Sequence, residues 1–285
     1  MDIAICCIVK QENLYLRDWV KYYYDMGVKN IILYDNNNIN GEYPQMVISD
    51  YIASGFVIYK DARGLYRYQT KAYTECYAEY KELFDWIGFL DIDEYWYLHP
   101  SYTFETFFNE ERIPDALAVY INWICYGDND KLFYEPKPVR ERFKKVTFPF
   151  DFESHGLKPN EIKKIFLKCR NDVVVTFDEV DDISFFHYSD KMPNAYLANG
   201  EEYEYHKNTY DVSYIEHYRT LSIQEFLCRR LGRGSYADNS SSFNIENVME
   251  CFWSQNEWTD EKQKIIDKFL QNYNIIEDNV INSNE

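Results

Sequence analysis

No two cysteines in this sequence are spaced as CxxC, although the chain carries 7 of them. That absence excludes a zinc ribbon and a thioredoxin-type redox motif. The odd count, with Cys6 and Cys7 adjacent, reads as reduced thiols of an intracellular protein and not as a disulfide framework. Cations are also in deficit: 30 Lys and Arg stand against 48 Asp and Glu, a formal charge of −18 over 285 residues. A sequence-independent nucleic-acid binder is excluded on that ground, because phosphate backbones demand a basic surface. There is no basic segment followed by an apolar core at the N-terminus, and no apolar run approaches the ~18 residues of a membrane span. Internal repeats and low-complexity linkers are missing as well. The expectation is a soluble, cytoplasmic protein.

What is abundant is aromatic: 28 Tyr, 19 Phe and 6 Trp, 19% of the chain. Tyr and Trp suit places where a flat apolar face meets a hydroxyl-rich ligand such as a sugar. An AT-rich coding sequence enriches Tyr, Asn, Ile and Lys together, so composition alone does not establish a sugar site. Tyr- and Phe-rich surfaces also make self-association an expectation.

The first ninety or so residues alternate strand and helix. Ile3 to Val9 is a continuous apolar run, as in a strand buried on both faces of a parallel sheet. Asn13 can cap a helix with an apolar face of Leu16, Trp19, Val20 and Tyr23, stopped by Gly27. Val28 to Tyr34, Phe56 to Tyr59 and Trp86 to Leu90 read as further strands, with helices opening at Pro44 and spanning Gln69 to Leu83. Such βα units build an open α/β sheet, and ligands bind at the carboxyl ends of its strands. Those ends carry Lys10, Gln11 and Glu12, then Asp35, Asp61, Asp91 and Asp93. Further on, Ala116 to Trp123 and Ile183 to His187 read as strands, and Ile165 to Lys168 with Val173 to Phe177 as a hairpin. Ser222 to Leu231 and Asp260 to Tyr273 read as helices.

The chemistry centres on Phe89-Leu90-Asp91-Ile92-Asp93-Glu94. In extended chain, residues i and i+2 share a face, which would point Asp91 and Asp93 together and turn Ile92 into the core. Two converging carboxylates at a strand end form a hard-oxygen site for Mn²⁺ or Mg²⁺. Such a cation could hold a diphosphate that an acidic protein otherwise repels. Haloacid-dehalogenase-type phosphatases also use a DxD, but on the first strand; here it follows several βα units and Glu94 comes directly after it.

Taken in order, the motifs resemble bacterial glycosyltransferases of the family 2 and family 92 type. The resemblance lies in Val9-Lys10-Gln11-Glu12-Asn13 with Tyr15 to Val20, Gly27-Val28 leading to Tyr34-Asp35-Asn36, and Gln69, Ala72 and Tyr73. It continues through Leu90 to Tyr95, Asn122-Trp123, Arg140 to Phe143, Lys164, His217 to Thr220, Glu225-Phe226 and Arg233-Gly234. It implies a GT-A fold, an α/β Rossmann-like, mostly parallel sheet flanked by helices with a C-terminal helical elaboration. The expected domain spans 1–235, with a nucleotide-sugar half at 1–97 and an acceptor-side half at 98–235, followed by a helical extension at 236–285. By position, Val9, Lys10 and Glu12 would border the nucleoside pocket and Asp35 would bond uracil or ribose. Gln69 and Tyr73 would line the donor pocket, Asp91 would face ribose and metal, and Asp93 would ligate the metal. Lys164 and Arg233 complete the nucleotide-sugar set. The sequence departs from the family's pattern at Tyr126 to Asp130 and at Thr220-Leu221-Ser222.

An inverting transfer needs a carboxylate to take the acceptor hydroxyl's proton. Asp128, Asp130 and Glu153 are candidates, with Asp128 placed first. His187 could supply a third metal ligand, and His217 is similar. Arg219, Arg229, Arg230 and Arg233 could clamp a donor diphosphate, or the phosphate of a lipid-linked acceptor at the inner face of a membrane. The implied activity is metal-dependent transfer from a UDP-hexose to a saccharide acceptor in bacterial surface polysaccharide or lipooligosaccharide synthesis. The alternative is a non-catalytic glycan-binding module on a degenerate GT-A fold. A nucleotidyltransferase would want a glycine-rich loop after the first strand, and Lys10 to Asn13 has none.

Overall fold

A computed structural model of the chain describes residues 1–109, 118–146, 163–175, 206–207, 212–233, 249, 252–253 and 256–282. They group into two compact units: Met1–Ile124 with Asp151–His217 and Ser235–Asn239, and Cys125–Phe150 with Tyr218–Gly234 and Ser240–Glu285.

The first unit is built on strand β1 (Ile3–Val9), all seven residues of which are buried. Its neighbours β2 (Asn30–Asp35) and β4 (Trp86–Phe89) both run parallel to it, and β3 (Val57–Asp61) adds in parallel outside β2. The helix α1 (Asn13–Met26) buries Tyr15, Leu16, Trp19, Val20 and Tyr23, one stripe of a 3.6-residue period. Gly27, at φ +88°, ends it in the left-handed conformation, donating its N–H to the last carbonyls. Short helices α2 (Pro44–Val47) and α3 (Ser49–Ala53) precede β3. Helix α4 (Gln69–Tyr80) lays Ala72, Tyr73, Cys76 and Tyr77 on the sheet face formed by Ala4, Cys6 and Ile8.

Beyond β4 the sheet changes sense. The strand β7 (Lys163–Lys168) is antiparallel to β4 and to β6 (Ala118–Cys125), giving the order β3-β2-β1-β4-β7-β6-β9-β5. Strands β5 (Glu94–Leu98) and β9 (Ser213–His217) pair antiparallel, and the two-residue β8 (His206–Lys207) joins β6. The 165–168 segment therefore pairs with β4 and β6, not with Val173–Val175, which form no strand. A hairpin with 173–177 would have left β4 and β6 without a shared neighbour. Helix α5 (Phe104–Phe108) opens with a Thr103 capping box and feeds Phe107 and Phe108 into an aromatic cluster with Trp86, Trp96 and Phe166.

In the second unit, α6 (Val139–Arg142) and α7 (Ile223–Arg233) are joined by an ion pair of Arg142 with Glu225 at 2.8 Å, both side chains buried. Ile223, Phe226 and Leu227 pack with Met249, Phe252 and Ile266, the last on α8 (Asp260–Asn282). Among the described residues no helix is long and apolar enough to cross a membrane. The strand expected at Ile183 to His187, with His187 as a metal ligand, lies outside the described residues, as does Glu153.

Candidate active site

Strand order reverses about β1, whose two neighbours are β2 and β4, so the crevice at their carboxyl ends is the natural ligand position. Val9 is paired with Asp35 in register there, and Asp35 with Asp61.

The β2 end is tightly organised. Asp35 is fully buried, and its Oδ1 accepts the backbone and side-chain N–H groups of Asn37 at 3.0 and 2.7 Å. Its Oδ2 accepts the Tyr59 hydroxyl at 2.6 Å and Arg63 Nε at 2.8 Å. Asn37 in turn accepts the N–H of Gln11 at 2.8 Å, a residue at φ +55° just past β1. Arg63 goes on to donate to the carbonyls of Ile39, at 3.0 Å, and Glu42, and its guanidinium lies 4.2 Å from the Tyr43 ring centre. The Glu42 carboxylate accepts the Asn13 N–H at the start of α1, at 2.8 Å. One arginine thus fastens the loop after β2 to the carboxylate that ends it. Lys10 is half-buried at the end of β1, and Glu12 is buried at the N-terminal cap position of α1.

On the β4 side, the strand stops at Phe89, and Asp91 to Asp93 form a tight turn closed by the Glu94 N–H on the Asp91 carbonyl at 3.1 Å. The two aspartates are therefore not on one face of an extended strand. The chain must reverse here so that β5 can leave, and Ile92 is still buried, as expected from its apolar side chain. Glu94 is fully buried; its Oε2 accepts the Asp91 N–H at 2.9 Å. Its carbonyl accepts Trp19 Nε1 at 2.7 Å and the Tyr23 hydroxyl at 3.0 Å, fixing the turn to α1. Lys164 on β7, also buried, reaches Asp91 Oδ2 at 2.7 Å and Glu94 Oε2 at 3.2 Å. Burial pushes the Glu94 carboxyl well above the usual carboxylate range. For Lys164, burial pulls downward, but Asp91 and Glu94 outweigh it and hold the ammonium above its ordinary value.

His217, at the end of β9, sits directly opposite Glu94 and places Nε2 3.7 Å from Asp93 Oδ1. Its ring centre lies 4.0 Å from that of Trp123. Gln69 donates to the Tyr73 hydroxyl at 3.2 Å, and Tyr73 packs on Phe89 at 4.9 Å.

These groups suit a divalent cation of the Mn²⁺ or Mg²⁺ kind. Asp93 and His217 offer an oxygen and an imidazole nitrogen, and Asp91 Oδ1 is buried without a hydrogen-bond partner among the described residues. No group of three His, Cys, Asp or Glu converges among the described residues. A bound cation would therefore draw further oxygens from a phosphorylated ligand and water, as Mg²⁺ commonly does.

Glycosyltransferase family 92, as a family model, matches residues 2–278. The chain belongs to that family. Of the two families in the resemblance, family 92 is the one matched. The family 92 protein At1g27200 of Arabidopsis thaliana is 21% identical over 127 residues, 45% of this chain and 22% of that protein. The galactan β-1,4-galactosyltransferase GALS1 of Arabidopsis thaliana is 22% identical over 228 residues, 76% of this chain and 41% of that protein. This family 92 chain spans less than half the length of either relative. A solved structure of S. aureus TarS 1–349 in complex with UDP-GlcNAc aligns at TM-score 0.40 and 11% identity, over 95% of this chain and 72% of that one.

The remaining expected site residues fall in the second unit. Asp128 is buried, with Oδ2 2.6 Å from Lys262 and Oδ1 accepting the Asp130 N–H at 3.0 Å. Burial raises its pKa, and Lys262 only partly opposes the shift. Service as a general base requires that ion pair to open. Arg233 closes α7, and Arg230 lies over the Phe226 ring at 5.7 Å. Neither Arg63 nor Glu94 carries a sequence signal for its part as an anchor. Arg63 stands in no motif, and Glu94 reads as one more acid beside two others. The alternating pattern of Ser213-Tyr214-Ile215-Glu216-His217 was the available signal for β9 and for His217 at its end.

Proposed function

We propose that this protein transfers a sugar from a nucleotide-diphosphate donor to a saccharide acceptor, with UDP-hexoses such as UDP-galactose or UDP-glucose as the donors to try first. The observation that carries the reading is the approach of His217 Nε2 to Asp93 Oδ1 at 3.7 Å, in the same unit as the Val9–Asp35 strand ends. Val9, Lys10, Glu12 and Asp35 would border the nucleoside, and Gln69 and Tyr73 the donor sugar. Asp93, His217 and Asp91 Oδ1 would hold Mn²⁺ or Mg²⁺. When bound, that cation neutralises charge on the departing diphosphate. Asp128 is the proposed proton acceptor for the attacking hydroxyl in an inverting displacement. Arg233 is proposed to meet phosphate, of the donor or of a lipid-linked acceptor at a membrane surface, as in surface polysaccharide or lipooligosaccharide assembly.

Calorimetric titration of UDP with Mn²⁺ and with EDTA, on the native chain and on Asp93→Ala, tests this directly. Binding that requires Mn²⁺ and is lost in the variant is expected. Failure of every nucleoside diphosphate to bind under either condition would overturn the proposal and favour metal-independent glycan binding.

A further inference from the structure

We propose that Lys164 is a resident countercation of the Asp91-Ile92-Asp93 turn: a positioning residue that keeps metal affinity low in the free protein, so that the divalent cation is taken up together with the nucleotide diphosphate. The inference rests on the donor-site reading above and gives Lys164 a role other than direct nucleotide contact.

Lys164 is the second residue of β7 and pairs with Ile121 of β6, while residues 166–168 of the same strand pair with β4. Its side chain is 1% exposed, and its ammonium is engaged by Asp91 Oδ2 and Glu94 Oε2 at 2.7 and 3.2 Å. The Trp123 ring lies 5.9 Å from the same Nζ. A group this deeply buried is not placed for direct contact with a diphosphate. Its charge nevertheless acts on the turn, since buried charges are little screened.

Two consequences follow. Asp91 has one oxygen committed to Lys164, while Oδ1, buried and without a hydrogen bond among the described residues, remains for a ligand. Asp91 can then offer a cation one oxygen only, with no bidentate grip. Lys164 also sets its charge against the Asp91 carboxylate, and a fixed positive charge beside a carboxylate weakens its attraction for an incoming cation. A diphosphate restores that attraction by bringing its own negative oxygens. In an acidic chain this arrangement guards the turn against indiscriminate loading with divalent ions.

The test is a Mn²⁺ titration of the full chain followed by the electron paramagnetic resonance signal of free Mn²⁺, with and without UDP, alongside thermal melts. The native chain should bind Mn²⁺ at least about tenfold more tightly with UDP than without. Lys164→Met should bind Mn²⁺ alone at least about tenfold more tightly than the native chain, with Mn²⁺ raising its melting temperature. Lys164→Arg, which keeps the charge, should return toward native behaviour. A merely structural lysine would loosen the site on removal, so unchanged or weaker Mn²⁺ affinity in Lys164→Met overturns the inference. If that variant does not fold, the native arm decides: equal Mn²⁺ affinity with and without UDP overturns it. Mn²⁺-dependent UDP binding without the Lys164→Met effect sinks this inference alone, whereas absence of any UDP binding sinks the donor-site reading beneath it.

Discussion

The imidazole of His217 stands 3.7 Å from the carboxylate of Asp93 because β5 and β9 run antiparallel with Glu94 opposite His217. If both groups hold the cation, His217→Ala and Asp93→Ala should each weaken UDP binding in Mn²⁺ by more than the about 10- to 100-fold that loss of an outer-shell partner costs. UDP binding measured in EDTA should be the same for both variants and the native chain. Calorimetry in the two buffers checks this. Equal losses in EDTA would show that the variants damage the pocket and not the cation site.

Arg63 is the only cation bonded to the fully buried Asp35 among the described residues. Arg63→Met should destabilise the protein by about 3–5 kcal/mol, the cost of stranding a buried charge. Adding Asp35→Asn should recover part of that loss. Chemical denaturation of the two variants and the native chain measures both steps, and a loss under about 1 kcal/mol for Arg63→Met would contradict the bracket.

Gly88 lies under the Phe166 ring, and a Cβ there would come within 2.4 Å of Cε1. Phe166 is itself held by Trp96, at 4.5 Å between ring centres, so it cannot swing away freely. Gly88→Ala should cost about 1–3 kcal/mol by overpacking, and Phe166→Leu in the same chain should relieve it. Melting curves suffice to test the pair.

Asp128 carries a pH prediction. Its folded pKa lies above the ordinary carboxylate value, so the folded state holds its proton more tightly than the unfolded chain does. The stability this contributes is fully present below the ordinary carboxylate range and is lost as pH rises through the raised pKa. Asp128→Asn should flatten that part of the stability-versus-pH curve. As the proposed base, the same variant should also abolish sugar transfer while leaving Mn²⁺-dependent UDP binding within about twofold of native; the sugar-transfer assay and the titration separate the two roles.

Much of the parallel half was legible from the chain itself. The seven-residue apolar run reads as a strand buried on both faces, and the period of Leu16, Trp19, Val20 and Tyr23 ended by Gly27 as a helix, and both form. The carboxyl ends of β1, β2 and β4 then put Lys10, Asp35 and Asp91 on one edge. What lay beyond was not written locally. The partner of β7, the reversal of the chain at Asp91 to Asp93, and the meeting of Lys164 with Asp91 and of His217 with Asp93 all depend on strands distant in sequence. Period and capping are properties of neighbouring residues, so the sequence alone determined the elements and the edge on which a ligand would sit. Pairing and charge compensation are properties of space, so only the tertiary structure decided which lysine neutralises the turn and which histidine stands beside it.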